Sequence, residues 1–136
     1  MPPHPASINW LAAVVAAVSA FVIGGLWYSP ALFGNAWMRA AGLSAADLAK
    51  GKPAVTFGIS FVLALIASLV FALFLGPAPA LGLALGAGAS AGSCWVAASF
   101  GINYAFERKP LALFLINGGY HTVQFTVYGL IMGLWH

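Results

Sequence analysis

The stretch from Leu111 to Trp135 reads LALFLINGGYHTVQFTVYGLIMGLW, and its periodicity decides the fold. On a helix turning about 100° per residue, Asn117, His121, Gln124 and Tyr128 fall within an arc of about 60°. Ile116, Val123, Val127, Leu130 and Leu134 occupy a second side, and Gly118, Thr122, Thr126, Gly129 and Gly133 a third. One helix thus carries a polar stripe, an aliphatic face and a small-residue face. A helix that is apolar over most of its circumference is buried or sits in lipid.

The rest of the chain chooses lipid. Of 136 residues, 62% are hydrophobic and 5% are charged, against roughly a quarter charged in a soluble domain. So few charges cannot cover a globule in water. A net charge of +3, scattered along the chain, does not make a nucleic-acid-binding surface. Cys94 is the one cysteine, so no internal disulfide forms, and its setting inside an apolar run reads as a small core residue.

Four runs have the roughly 20 apolar residues that a hydrocarbon core of about 30 Å requires. They are Ile8–Tyr28, Ala54–Leu75, Leu81–Ala105 and Leu111–Trp135, and none contains Asp, Glu, Lys or Arg. The expected fold is an all-α membrane protein, a four-helix transmembrane bundle forming a single domain over residues 1–136. The opening MPPHPASINW lacks the basic start of a signal peptide, so the first run reads as a retained span preceded by a loose tail containing His4. The links GPAPA (76–80) and FERKP (106–110) are short enough to predict antiparallel neighbours on either side of each.

Charge sets the expected orientation. Arg39, Lys50 and Lys52 lie between spans one and two, and Arg108 and Lys109 between spans three and four. With four spans these loops share one side, which the positive-inside rule places in the cytoplasm, leaving both termini outside. The expected location is a membrane that borders the cytoplasm. Trp27, Tyr28 and Tyr104 would mark the inner boundary, Trp10 and Trp135 the outer.

The first loop predicts a short interfacial helix over residues 30–43, with Ser29-Pro30 as its start and Phe33, Trp37 and Arg39 at the headgroups. Ser44-Ala-Ala-Asp47 reads as a capping box opening a further turn. Small residues recur every fourth position: Ala12, Ala16, Ala20 and Gly24 in span one, Ser60, Ala64, Ser68 and Ala72 in span two. Such stripes let helices approach closely. A weak internal repeat pairs Gly25-Leu-Trp-Tyr28 with Gly101-Ile-Asn-Tyr104.

Three motifs carry a resemblance: NWLA at 9–12, GGLWYSPALFGNAWM at 24–38 and INYAFERKPLALFLINGGYH at 102–121. Together they resemble the small bacterial membrane proteins grouped as domain of unknown function 1761, from Asn9 to Trp135. The resemblance implies a four-span architecture and assigns no chemistry.

Chemistry must therefore come from the residues. His121 lies ten residues into its span, about 15 Å deep at 1.5 Å per residue. A titratable group there faces protein or water and marks a functional site by default. Asn103, Asn117, Tyr120, Tyr28, Glu107 and Gln124 are the candidates to join it in a polar funnel from the cytoplasmic side. Equally, His121, Asn117 and Gln124 can simply tie helices together by hydrogen bonds. Glu107 also reads as an interfacial residue paired with Arg108 or Lys109. No metal site is expected, since no second histidine stands at helical spacing from His121. No cofactor is expected, and no base adjoins a nucleophile. Two functions remain open. One is a non-enzymatic membrane module, a homo-oligomer or a subunit of a larger complex, with the bilayer as its main partner. The other is a transporter or ligand-binding protein for a small solute, using the funnel to His121.

Overall fold

A computed structural model describes residues 7–136. The tail with His4 lies outside the described residues. The helices are α1 (Trp10–Trp27), α2 (Gly34–Ala41), α3 (Ala45–Ala49), α4 (Pro53–Leu75), α5 (Leu81–Glu107) and α6 (Leu111–Leu134). No strand occurs among the described residues.

Three helices, α1, α4 and α5, are long and apolar enough to cross a membrane. The four-span expectation is met at this level by three. With 24 residues α6 has the length. Its stripe of Asn117, Tyr120, His121, Gln124 and Tyr128 dilutes its apolar character.

This helix, the least apolar of the four long ones, is the centre of the fold. α1 packs on one side of α6 and α5 on the other, while α4 rests on α1. The α1 seam is made of alanines: Ala12, Ala13, Ala16, Ala17 and Ala20 are all at most 1% exposed. The α5 seam is closer still. A Cβ on Gly92 would stand 2.6 Å from the His121 carbonyl oxygen and 2.7 Å from Thr122 Cα. One on Gly88 would overlap the Phe125 carbonyl, and one on Gly129 the Ala84 carbonyl. These helices touch backbone to backbone, which only glycine permits. Tyr128, completely buried, fills the core beside Phe71, Ala91 and Met132.

The turn at 76–80 does not make α4 and α5 neighbours along their length. They meet weakly, as where the Phe74 and Trp95 rings lie 6.5 Å apart. Gly88 and Gly92 fit α5 against α6 more closely than against the bulky side chains of α4. Within α5, residues Ala91–Ala97 form a π-helical segment. Its wider i→i+5 turns rotate the C-terminal third of α5 relative to a regular helix. Cys94, expected in the core, is exposed.

The first loop also differs from expectation. Ser29 does not start a helix. Its hydroxyl donates to the Leu26 carbonyl (2.7 Å) and closes α1. The helix begins at Gly34, whose amide donates to the Ser29 carbonyl at 3.0 Å. A side chain on Gly34 would strike the backbone of Tyr28 and Ser29. Phe33 and Trp37 fold back onto the bundle, ring to ring with Trp27 (4.8 Å) and Tyr28 (5.8 Å), while Arg39 is exposed. Gly42, at φ 71°, ends α2 in the left-handed region. The capping box forms as expected: Asp47 N donates to Ser44 Oγ (3.1 Å) and Ser44 N to Asp47 Oδ2 (2.9 Å). These bonds hold the Asp47 carboxyl below its usual range, the Ser44 amide contributing most.

Candidate functional site

The polar stripe of α6 divides into two hydrogen-bonded groups. The first is a clamp on Asn117. Tyr28, at the end of α1, donates its hydroxyl to Asn117 Oδ1 at 2.6 Å. Asn117 Nδ2 donates to the hydroxyl of Tyr104, near the end of α5, at 2.8 Å. Beside it, Trp27 Nε1 donates to the Ile116 carbonyl (2.9 Å). The paired motifs GLWY and GINY thus send their tyrosines to opposite sides of one amide.

The second group lies one turn further along α6. His121 Nδ1 is 2.8 Å from Gln124 Oε1, and Gln124 Nε2 donates to the Tyr128 hydroxyl at 2.5 Å. With Gln124 Oε1 placed toward the ring, Nδ1 is the donor, and a neutral ring then keeps its lone pair on Nε2. No hydrogen bond is made to His121 Nε2 among the described residues. Phe100 stacks on one face of the imidazole, with centroids 5.0 Å apart and planes at 15°. Tyr120 meets it edge-on at 4.9 Å and donates its hydroxyl to the Ala20 carbonyl (2.9 Å).

Tyr28, Tyr120, His121 and Gln124 contribute to the lining of a cleft of about 730 Å³. Ala20 and Gly24 of α1 floor it, Phe57 and Ala64 of α4 wall it, and His121 and Gln124 border it from α6. Because α4 does not pack along α5, the cleft is open on that side, where Val96 forms its edge. Its lining contains no Asp, Glu, Lys or Arg.

Of the residues expected in a funnel, His121, Gln124, Tyr120 and Tyr28 line this cleft. Asn117 sits in the neighbouring clamp. Asn103 and Glu107 are exposed and do not join it, so no funnel runs along α5. Adjacent positions on a helix point about 100° apart, so directing Tyr104 at Asn117 turns Asn103 away. Glu107 makes no ion pair among the described residues, where Lys50 and Asp47 form one at 3.8 Å. Sequence reasoning missed Tyr104, Phe100 and the cleft wall. Ser60 stood in a stripe read as helix packing, whereas it is exposed and borders the cleft, and Ala64 of the same stripe both packs on the core and lines the cleft. Only Ser68 and Ala72 of that stripe are buried. No group of three His, Cys, Asp or Glu positioned for a metal occurs among the described residues. The arrangement offers hydrogen-bonding groups within a largely apolar slot.

The chain belongs to the family described as Protein of unknown function (DUF1761), whose family model matches residues 11–133. Among curated proteins and among solved structures, nothing matches the chain.

Proposed function

We propose that this DUF1761 protein is a small four-span protein of the bacterial inner membrane that acts without catalysis, by holding one amphiphilic molecule drawn from the bilayer. The observation that carries this reading is the cleft at His121, lined mostly by apolar side chains with Tyr28, Ser60, Tyr120, His121 and Gln124 among them, and open where α4 and α5 do not pack. Its volume of about 730 Å³ falls in the range of ligand pockets, roughly 300–1,000 Å³. A lateral opening suits a molecule that partitions into lipid.

The fourth crossing, by α6, is supported by its length, about 36 Å at 1.5 Å per residue. It is also supported by its lodging between α1 and α5, where Asn117, Gln124 and Tyr128 find partners inside the protein. The location of all five basic residues in the 28–52 and 108–110 loops supports cytoplasmic loops and external termini.

The test is native mass spectrometry of protein released from discs of its own membrane lipids, compared with Ala64→Phe, which fills the cleft from α4. The wild type is expected to carry one small molecule, and folded Ala64→Phe to lose it. Retention by the variant at wild-type occupancy would refute the cleft as the binding site.

A further inference from the structure

The hydrogen bonds around the cleft determine what its ligand must offer. The hydroxyl and imidazole hydrogens at the surface are already committed within the protein. Tyr28 donates to Asn117, Tyr120 to the Ala20 carbonyl, and Ser60 to the Thr56 carbonyl at 2.8 Å. His121 uses Nδ1–H on Gln124 Oε1, and Gln124 turns its Nε2 toward the buried Tyr128. What remains for a guest, beside the second Gln124 Nε2 hydrogen, is a set of lone pairs: His121 Nε2 first, then the oxygens of Tyr28, Tyr120 and Ser60. A lone pair left without a donor in an apolar setting is costly, and a guest that also only accepts leaves it so.

Charge narrows the guest further. No carboxylate lines the cleft to balance an ammonium, and no Lys or Arg to balance a carboxylate or phosphate. At a depth of about 15 Å an unbalanced charge is strongly disfavoured. We infer that the cleft selects an uncharged, hydroxyl-headed lipid, a long-chain alcohol or phenol, whose O–H donates to His121 Nε2 while its chain leaves between α4 and α5. This rests on the proposed binding function and adds the class of ligand. The aromatic side chains in the lining, among them Phe21, Tyr120 and Phe125, suit either an alkyl or a ring-bearing alcohol.

The test uses the full chain in lipid discs and a diazirine-bearing hexadecanol as photoprobe. Competitors are hexadecanol, 4-dodecylphenol, methyl hexadecyl ether, hexadecyl acetate and hexadecylamine. Either hydroxyl compound is expected to compete about tenfold better than ether, ester or amine, the worth of one hydrogen bond to an otherwise unpaired acceptor. The stronger of the two identifies the head as aliphatic or aromatic. In His121→Phe the alcohol and its ether should compete equally, a loss of discrimination that a purely structural histidine would not produce. A second readout needs no variant. The chain has three histidines, so ¹⁵N-histidine labelling gives a short spectrum in which the His121 signals are followed directly. The free protein should show Nε2 without a proton, and hexadecanol should shift that nitrogen. Equal competition by ether and alcohol, tighter binding of the amine, or a protonated Nε2 in the free protein would overturn the inference while leaving a lipid site standing. No protected crosslink with any probe would overturn both.

Discussion

Replacing the glycines of α5 and α6 by alanine should divide them into two classes with opposite signs. Gly82 and Gly86 have nothing within 4 Å of an added Cβ. There, alanine removes the entropic penalty of helical glycine and should stabilise by roughly 0.5–1 kcal/mol. Gly88 is two residues from Gly86, yet its Cβ would overlap the Phe125 carbonyl, and that of Gly129 the Ala84 carbonyl. The obstructing atoms are backbone and cannot rotate aside, so the two helices must separate. Overpacking of this kind costs about 1–3 kcal/mol, and a gap of 0.5–1 Å forfeits a quarter to a half of each dispersion contact along the seam. The propensity gain is common to all three sites, so relative to Gly86→Ala the Gly88→Ala and Gly129→Ala variants should be less stable by about 1–3 kcal/mol. Reversible unfolding in mixed micelles, followed by far-UV circular dichroism, measures the difference. If Gly88→Ala proves as stable as Gly86→Ala, the backbone contact between α5 and α6 is refuted.

Other outcomes rest on the polar groups. Tyr28→Phe and Tyr104→Phe should each lower stability by about 0.5–1.5 kcal/mol. Each should cost far less in an Asn117→Leu background, since both act through that amide, and a double-mutant cycle on the same unfolding assay checks this. Asp47, with its carboxyl held below the usual range in the folded state, supports α3 fully above the unfolded carboxylate pKa. That support is lost as pH falls through the lower folded value. Amide exchange over Ala45–Ala49, corrected for its intrinsic pH dependence, should lose protection on acidification, and Ser44→Ala should reproduce the loss at neutral pH. A phosphatase reporter active only outside the cytoplasm should work when fused after His136, and a cytoplasmic activity there would reverse the orientation.

Much of the architecture was legible in the residues because lipid imposes simple demands. The ends of α1, α4, α5 and α6 fall within two residues of the apolar runs read from the sequence. The capping box needed only Ser44 and Asp47 at the right spacing. Placing His121 and Gln124 at one site came from helical periodicity on α6, and Tyr28 and Tyr120 stood beside them only as candidates to join. What escaped was relative. A stripe of small residues looks the same whether it receives a neighbouring helix, as Ser68 does, or borders a space, as Ser60 does. The π-helical turns at Ala91–Ala97 leave no signature in a run of small and apolar residues, yet they change which side of α5 faces inward. Asn103 and Tyr104 are adjacent and both polar, and only the position of Asn117 decided which one turned toward it.

The place of α6 at the centre also bears on assembly. Synthesis delivers α1, α4 and α5 before the helix on which α1 and α5 dock. Until it arrives, the glycine seam of α5 has no counterpart and α1 can pair only with α4. On the proposed four-span arrangement the three apolar helices wait in the bilayer as separable segments, as in two-stage membrane folding. The last helix, too polar to face lipid comfortably on its Asn117–Tyr128 side, then finds a slot already lined with the tyrosines that satisfy it. Its polarity, a handicap for solitary insertion, becomes the address that specifies where it docks.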